Sequence, residues 1–431
     1  MTPDELALLL VPAAAVAAAV IATTVKKVAP VPLVVFEILL GLLLGPSVLG
    51  WVEPSVVTDT LADFGLAMLF FMAGDEIDFA AVRGRPLRRA GLGWLVSLVA
   101  GVSVGMLLAP DLSAGVIVGI ALGSTALGTI LPILRDSGDL HSPFGRAVTA
   151  VGAAGEFGPL VAISIFLSGR RPGTSTAVLL LFVVISAAAV WWASRGTKTS
   201  LHRHVTATLH TSGQLAVRLV LLLVAALVTL STVLGLDMLL GAFAAGVLWQ
   251  TLVAGAPAHD REHVEGKIEA VAFGFLVPVF FISTGITFEL RALLDDPRAL
   301  SLVPVFLVLM LLVRGLPGLL AAPEGSSPAD RRAIVLLSAT GLPIIVAVTA
   351  IGVDSGLLAT TTAAALVGAG MLSVLIFPLV ALAQRPSTPD PHDGALHDGA
   401  PPEAASPSRD LPDGPAPGEP GAGRAEDDLS A

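Results

Sequence analysis

The chain has 431 residues, of which 54% are hydrophobic and 13% charged, and its mean hydropathy is +0.85. Membrane-length apolar runs follow one another through most of it, and this composition predicts an all-α polytopic membrane protein. There is no cysteine, which excludes a disulfide framework, a thiolate metal site and a thiol redox switch. The net charge of −10 is mostly local, because residues 385–431 carry ten acidic residues and three arginines.

Thirteen transmembrane spans are predicted from apolar runs of about 17 to 25 residues. They begin near residues 5, 31, 60, 90, 113, 147, 175, 215, 237, 268, 301, 331 and 357. Loops after the odd-numbered spans hold sixteen lysines and arginines, whereas the other loops hold four, namely Arg170, Arg171, Arg291 and Arg298. This bias predicts an N-terminus outside the cell and a C-terminal tail in the cytoplasm.

The composition changes abruptly near Arg385. Residues 385–431 contain ten prolines in 47 residues, together with many glycines, serines and aspartates. Such a segment cannot bury enough apolar surface to fold, so it is predicted to be a disordered, acidic, Pro-rich cytoplasmic tail. Residues 1–384 are predicted to form one transmembrane domain.

Two halves of the chain resemble each other in three places. The paired motifs are Gly41-x₃-Gly45 with Gly241-x₄-Gly246, Phe70-Phe71-x₂-Gly74 with Phe280-Phe281-x₃-Gly285, and residues 123–129 with residues 338–343. Seven spans separate the members of each pair. Because seven is odd, the two copies must cross the membrane in opposite directions. The sequence therefore predicts an inverted-topology repeat, an arrangement that secondary transporters commonly use for alternating access.

The third pair of motifs predicts two interrupted helices. Gly128 with Pro132, and Gly341 with Pro343, weaken a helix at mid-span. Free N–H and C=O groups at such interruptions bind ions or neutralise a neighbouring side chain. Hydroxyl oxygens suited to a hard cation lie nearby, on Ser124, Thr125, Thr129 and Thr340. The alternative is a glycine-faced packing interface whose hydroxyls bond back to their own helix.

A single carboxylate, Glu156, lies in the middle of the sixth span. A charge at mid-bilayer costs at least ~2.5 kcal/mol, so such a residue is a functional candidate. Gly152, Gly155, Gly158 and Pro159 thin the helix around it and are expected to leave room for a backbone, an ion or water. The alternative is a structural salt bridge between Glu156 and Arg314, the basic residue at comparable depth.

Other acidic residues could belong to a path for ions. Glu37, about two turns into the second span, is expected either to pack against a neighbouring domain or to line a water funnel. Asp75, Glu76 and Asp78 lie at the predicted cytoplasmic mouth, where a negative cluster attracts cations. A wetted helix end is the alternative explanation for these three residues.

Four segments together resemble a known family: residues 37–50, 71–78, 241–246 and 278–285. Their order and spacing are similar to those of monovalent cation:proton antiporters of the second superfamily, which includes sodium/proton antiporters and potassium-efflux proteins. The resemblance covers nearly all of residues 5–384. It implies a thirteen-helix protomer with the sodium/proton antiporter fold, in which a dimerisation domain adjoins a moving core.

The resemblance also assigns roles within that core, which would comprise spans 4–6 and 11–13. The two crossed, broken helices match spans 5 and 12, the acidic position matches Glu156, and the basic residue of the preceding core helix matches Arg314. Family members usually carry aspartate at the acidic position, often after Asp, Asn or Gln, whereas this chain has Gly155-Glu156. Many electrogenic members have lysine at the position of Arg314.

These features predict a transporter and not an enzyme. A lone carboxylate can hold either a proton or a monovalent cation, so competition at Glu156 gives exchange of Na⁺ or K⁺ for H⁺. Because arginine effectively never deprotonates, one-for-one electroneutral exchange is the simplest stoichiometry. The expected setting is a homodimer in the cytoplasmic membrane, in contact with lipid, cations and protons, without cofactor, metal site or nucleic acid.

Two other classes of protein are alternatives to an exchanger. A cation uniporter or channel of the same fold would conduct without coupling to protons. A membrane-embedded enzyme is suggested only by Gly74-Asp75, as in an intramembrane aspartyl protease, but Asp75 lies at a helix end and lacks a mid-membrane partner.

Overall fold

The computed structural model describes residues 3–25, 31–77, 84–109, 111–140, 142–167, 171–196, 214–253 and 258–385. Within these ranges the regular structure is helical and no strand occurs. An all-helical chain is one of two ways to satisfy every backbone N–H and C=O in a hydrocarbon environment, because each helix bonds its own groups.

In chain order the described helices are α1 (Pro3–Val25), α2 (Leu33–Leu44), α3 (Val56–Asp75), α4 (Arg85–Leu108), α5 (Leu112–Leu122), α6 (Leu127–Asp136), α7 (Pro143–Phe166), α8 (Pro172–Gly196), α9 (Leu215–Val233), α10 (Met238–Val253), α11 (Ala258–Val271), α12 (Val277–Ile286), α13 (Leu290–Asp295), α14 (Pro297–Met310), α15 (Leu316–Gly318), α16 (Pro328–Ser338), α17 (Pro343–Asp354) and α18 (Thr360–Ala383). A π-helical turn, Ala272–Leu276, joins α11 to α12, and a second one, Leu311–Gly315, joins α14 to α15.

Among the described residues, eleven helical segments are long and apolar enough to cross a membrane. Two further apolar helices, α2 and α10, are shorter, with 12 and 16 residues, and stand where the second and ninth spans are predicted. Helix α2 ends at Leu44, directly before Gly45 and Pro46. The polytopic helical prediction is confirmed, and the exact number of thirteen spans stays a prediction.

The two predicted interruptions are present and touch each other. Helix α5 stops at Leu122 and α6 begins at Leu127, while α16 stops at Ser338 and α17 begins at Pro343. The Ala126 N–H donates to the Thr340 carbonyl at 2.8 Å, so the two breaks, residues 123–126 and 339–342, lie side by side. Helix α17 also packs against α5, which makes the two discontinuous helices cross.

The exact place of the first break differs from the prediction. Gly128 and Pro132 lie inside α6 and not in the break, whereas Gly341 lies in the second break and Pro343 opens α17. The first break forms at residues 123–126 because distant groups accept its backbone N–H groups. The Thr125 N–H donates to the Gly155 carbonyl at 3.0 Å, a partner that the local sequence cannot reveal.

The glycines of the repeat form the closest helix contacts. A Cβ atom on any of four of them would overlap the backbone of a neighbouring helix: Gly41 meets Ile282, Gly285 meets Ile38, Gly74 meets Phe243 and Gly246 meets Phe71. Helix α2 therefore packs on α12, and α10 packs on α3. By the paired motifs, α10 is the counterpart of α2, and α12 is the counterpart of α3. Helix α2 therefore packs on the counterpart of α3, and α3 packs on the counterpart of α2, which fits the predicted inverted symmetry.

The helices associate in two bundles. The first contains α4–α7 and α14–α18, which are the spans that the resemblance assigns to the core, and the second contains α1–α3 and α9–α12. Helix α7 of the first bundle also contacts α10 of the second, where the Phe157 and Phe243 rings lie 5.4 Å apart. The two crossed breaks lie within the first bundle.

Candidate functional site

Glu156 is the centre of the candidate site. It is the fourteenth residue of the 24-residue helix α7, which begins where the Ser142 hydroxyl accepts a hydrogen bond from the Gly145 N–H at 3.0 Å. Only 1% of Glu156 is exposed, and its Oε2 atom has no hydrogen-bond partner. A buried acceptor that lacks a partner costs about 1–3 kcal/mol, more if charged, so this oxygen is available for a proton or an ion.

The first break supplies the neighbour of this carboxyl group. Leu127 is the first residue of α6, and it packs against Gly152, one turn before Glu156 on α7, so that the N-terminal end of α6 lies beside the carboxyl group. The first N–H groups of a helix have no partner within the helix and carry partial positive charge. The start of α6 therefore stabilises the ionised form of Glu156.

The space beside the glycines of α7 is occupied by side chains from other segments. A Cβ atom on Gly152 would lie 2.5 Å from the Leu127 side chain, one on Gly158 would overlap the Trp94 ring, and one on Gly155 would overlap Arg314 and Thr125. The predicted room for a backbone agrees with the first break, whose Thr125 N–H donates to the Gly155 carbonyl, but the space beside the glycine Cα atoms is not left open for an ion or water. The space instead admits large side chains that the bundle brings from distant parts of the chain.

Arg314 is completely buried, in the π-helical turn Leu311–Gly315. Its Nε donates to the Thr125 hydroxyl at 2.7 Å and its Nη2 to the Val151 carbonyl at 2.6 Å, while Nη1 has no hydrogen-bond partner. No ion pair joins Arg314 to Glu156 in the described part of the chain. The alternative of a salt bridge between the two does not describe this structure, in which neutral oxygens hold the guanidinium against Gly155.

Most of the predicted hydroxyl ligands bond to their own segment. Ser124 donates to Ala121 at 2.8 Å, Thr129 to Ala126 at 2.9 Å and Thr340 to Leu336 at 3.1 Å, always to the backbone carbonyl. Thr125 is different, because its hydroxyl donates to the Ser338 carbonyl at 2.7 Å while it accepts from Arg314. A cationic donor on Thr125 makes this hydroxyl a poor ligand for a second cation.

The second break has a partner that sequence reasoning missed. The Gly341 N–H donates to the Ser373 hydroxyl at 3.1 Å, and that hydroxyl bonds to the carbonyls of Gly341 and Gly370 at 3.1 and 2.7 Å. Ser373 is fully buried in α18. The available signal was a hydroxyl in the middle of an otherwise apolar span, since a buried polar group needs partners.

The acidic residues of the predicted mouth lie at the end of α3. Asp75 is its last residue, and the Oδ1 atom of Asp75 is buried without a hydrogen-bond partner. Glu76 is the C-cap residue of this helix. Asp78 lies outside the described residues. Glu37 is buried in α2, which packs on α1 and α12 and also contacts α18.

Two crossed, interrupted helices and a buried carboxyl group beside their crossing define a polytopic membrane protein with the sodium/proton antiporter fold. The chain belongs to the family described as "Sodium/hydrogen exchanger, transmembrane", which matches residues 14–382. The solved structure of MjNhaP1 from Methanocaldococcus jannaschii, titled a sodium proton antiporter, is similar with a TM-score of 0.61 and 15% identity, over 89% of this chain and 97% of that one. At that identity the likeness concerns the fold alone.

Curated relatives include two proteins of Bacillus. The chain is 26% identical over 293 residues to the "Putative Na(+)/H(+) antiporter YjbQ" of Bacillus subtilis, covering 63% of this chain and 46% of that protein. It is 30% identical over 267 residues to the "Na(+)/H(+)-K(+) antiporter GerN" of Bacillus cereus, covering 60% of this chain and 66% of that protein. The match therefore spans from about half to two thirds of the length of these relatives.

Proposed function

We propose that the protein exchanges Na⁺ or K⁺ for H⁺ by alternating access, with Glu156 as the shared site of cation and proton. The observation that carries this proposal is a fully buried carboxyl group with one unpartnered oxygen beside two crossed helix breaks. The family and the names of the relatives point to the same activity, and the name of GerN includes both cations.

Competition at one carboxylate supplies the coupling. The N-terminal end of α6 lies beside the Glu156 carboxyl group and stabilises its charge, while Oε2 stays free to take a proton or a cation. When one ligand must leave before the other binds, the two move in opposite directions. The remaining ligand candidates are the backbone carbonyls of the breaks and the hydroxyls of Ser124, Thr129 and Thr340.

Arg314 has a separate task in this proposal. Its guanidinium stays charged in the buried site, bonded to Thr125 and Val151, and acts as a fixed positive charge in the core bundle. Glu156 is then the group whose charge changes during the cycle. One cation for one proton follows as the stoichiometry, and imposing a membrane potential on vesicles should leave the exchange rate unchanged.

Asp75 and Glu76 serve as the cytoplasmic approach to this site. Negative charge at the end of α3 raises the local concentration of cations. Glu37 is not assigned to this path. The proposal includes an outside N-terminus, a cytoplasmic tail, a homodimer and residence in the cytoplasmic membrane.

The test uses the full chain in proteoliposomes that contain a pH-sensitive dye. Wild type, Glu156→Gln and Glu53→Gln are compared after addition of Na⁺, K⁺ or Li⁺; Glu53 is an exposed acid and controls for the loss of one carboxylate. Dequenching by one cation in wild type and Glu53→Gln, but not in Glu156→Gln, is the expected result. Cation flux without a dye response in wild type would replace the proposal with a uniporter or channel.

A further inference from the structure

Arg385 forms an ion cluster outside the candidate site. It follows the end of α18 by two residues, only 17% of its side chain is exposed, and its guanidinium carbon lies 3.7 Å from the centroid of the Phe144 ring. Phe144 is the second residue of α7, so this contact joins the end of the last core helix to the start of the helix that carries Glu156.

Two carboxylates from two further elements bind the same guanidinium. Asp139, in the connection from α6 to α7, accepts hydrogen bonds from Nη1 and from Nη2, the second at 3.3 Å. Asp330, in the first turn of α16, accepts a hydrogen bond from Nε at 2.8 Å. Burial alone would lower the pKa of Arg385, but its bonds to the two aspartates outweigh burial and raise it. The guanidinium therefore remains charged at every physiological pH.

Other side chains hold both aspartates in place. The Ser327 hydroxyl caps α16, donates to Asp330 Oδ2 at 2.9 Å and accepts from the Asp330 N–H at 3.0 Å. Ser137 donates to Asp139 Oδ2 at 3.4 Å. Because the carboxylates of Asp139 and Asp330 are fixed, the planar guanidinium of Arg385 binds to acceptors that are already in place. A lysine ammonium group is a point charge and could not form the same set of hydrogen bonds.

The cluster joins the half-helices at the ends opposite to their breaks. Helix α6 runs from the first break to the Asp139 connection, and α16 runs from Asp330 to the second break. Ten or eleven residues span about 15 Å. At one end the half-helices are joined through Arg385, and at the other through the hydrogen bond from Ala126 to Thr340.

We propose that Arg385 is a positioning residue that makes α6 and α16 move as one body. Its effect reaches Glu156 through α6, whose first residue, Leu127, packs against Gly152, one turn before Glu156 on α7. The half-helices also share an apolar cluster that includes Leu134 of α6 and Ile334 of α16, so loss of Arg385 loosens their far ends without unfolding the bundle, and the breaks no longer keep a fixed geometry around Glu156. The role in transport rests on the proposed function.

The first measurement is a distance that does not depend on transport. The exposed residues Arg135 of α6 and Arg332 of α16 are replaced by cysteine and spin-labelled. Because the chain has no native cysteine, the measured distance is that between these two labels alone. The distribution is expected to be narrow in the otherwise unchanged protein and in an Arg331→Gln control, and broad in Arg385→Gln and in Asp330→Asn. An equally narrow distribution in Arg385→Gln would overturn the proposal.

The second measurement is exchange in proteoliposomes. Arg385→Gln is expected to raise the cation KM by about threefold or more and to change its pH profile, because the N-terminal end of α6 is no longer held beside Glu156. The cation KM of Arg385→Lys should lie between those of wild type and Arg385→Gln. This variant keeps the test valid if Arg385→Gln folds poorly. Wild-type KM and pH profile in both variants would overturn the proposal. If wild type exchanges no cation, the proposed function fails, and the distance measurement still decides whether Arg385 joins the half-helices.

Discussion

Gly155→Ala is expected to displace Arg314 and disable the site, although the change adds one methyl group. The new Cβ would overlap Arg314 Nη2 and the Thr125 hydroxyl, and would lie 2.6 Å from Thr125 Cβ. Neither neighbour can retreat cheaply. Arg314 is bonded to Val151 and Thr125, and Thr125 is bonded to Ser338.

The free energy of this change follows from the contacts that it breaks. Overpacking a filled core costs about 1–3 kcal/mol, and each lost hydrogen bond of a charged group about 1.5–3 kcal/mol. Alanine recovers about 1 kcal/mol of helix propensity relative to glycine. Loss of one Arg314 bond with overpacking, less the gain in helix propensity, therefore destabilises the fold by about 1.5–5 kcal/mol.

Gly91→Ala is the matched control, because no atom lies within 4 Å of a Cβ at this helical glycine. Thermal unfolding in detergent is measured for both variants and wild type, followed by exchange in proteoliposomes. Gly155→Ala should unfold at a clearly lower temperature and lose exchange, whereas Gly91→Ala should match wild type or exceed it slightly. Equal unfolding temperatures and equal exchange in the two variants would refute the packing argument.

Three further changes test other parts of the site. Arg314→Lys keeps the charge but loses at least one of the two hydrogen bonds, so the unfolding free energy should fall by about 1.5–3 kcal/mol while some exchange remains; unchanged stability in chemical denaturation would count against those bonds. Glu76→Gln removes a carboxylate from the end of α3, the proposed cytoplasmic approach, so the cation KM should rise; an unchanged KM would contradict that role. Gly246→Ala must push the backbone of α10 away from α3, so it should unfold below Gly266→Ala, at which a Cβ meets no atom; equal unfolding temperatures would argue against the close contact.

Much of the fold follows from the sequence, because the signals are local and repeated. The spans are apolar runs, and the three paired motifs predicted both the inverted repeat and the two interrupted helices. The glycines of those motifs then form the α2–α12 and α3–α10 contacts. The lengths of α2 and α10 are less predictable, since apolar residues continue beyond the point where a helix ends.

The interior of the site depends on residues far apart in sequence. Arg314 Nη2 bonds Val151 at a separation of 163 positions, and Arg385 reaches Asp139 at a separation of 246. The sequence singled out Glu156 and Arg314, but their spacing cannot say whether they pair. It also assigned the first break to Gly128 and Pro132, because the partners that open the helix earlier lie on α7 and in the second break.

The central claim is that a cation and a proton compete for Glu156. Its most direct test is the proton count when Na⁺ or K⁺ is added to purified protein in weakly buffered detergent solution, measured with a pH indicator alongside calorimetric cation binding. The wild-type protein should release protons as the cation binds, approaching about one proton per cation at a pH where Glu156 is protonated, and Glu156→Gln should neither bind the cation nor release protons. Cation binding of undiminished affinity in Glu156→Gln, or binding to wild type without proton release at any pH, would contradict the account.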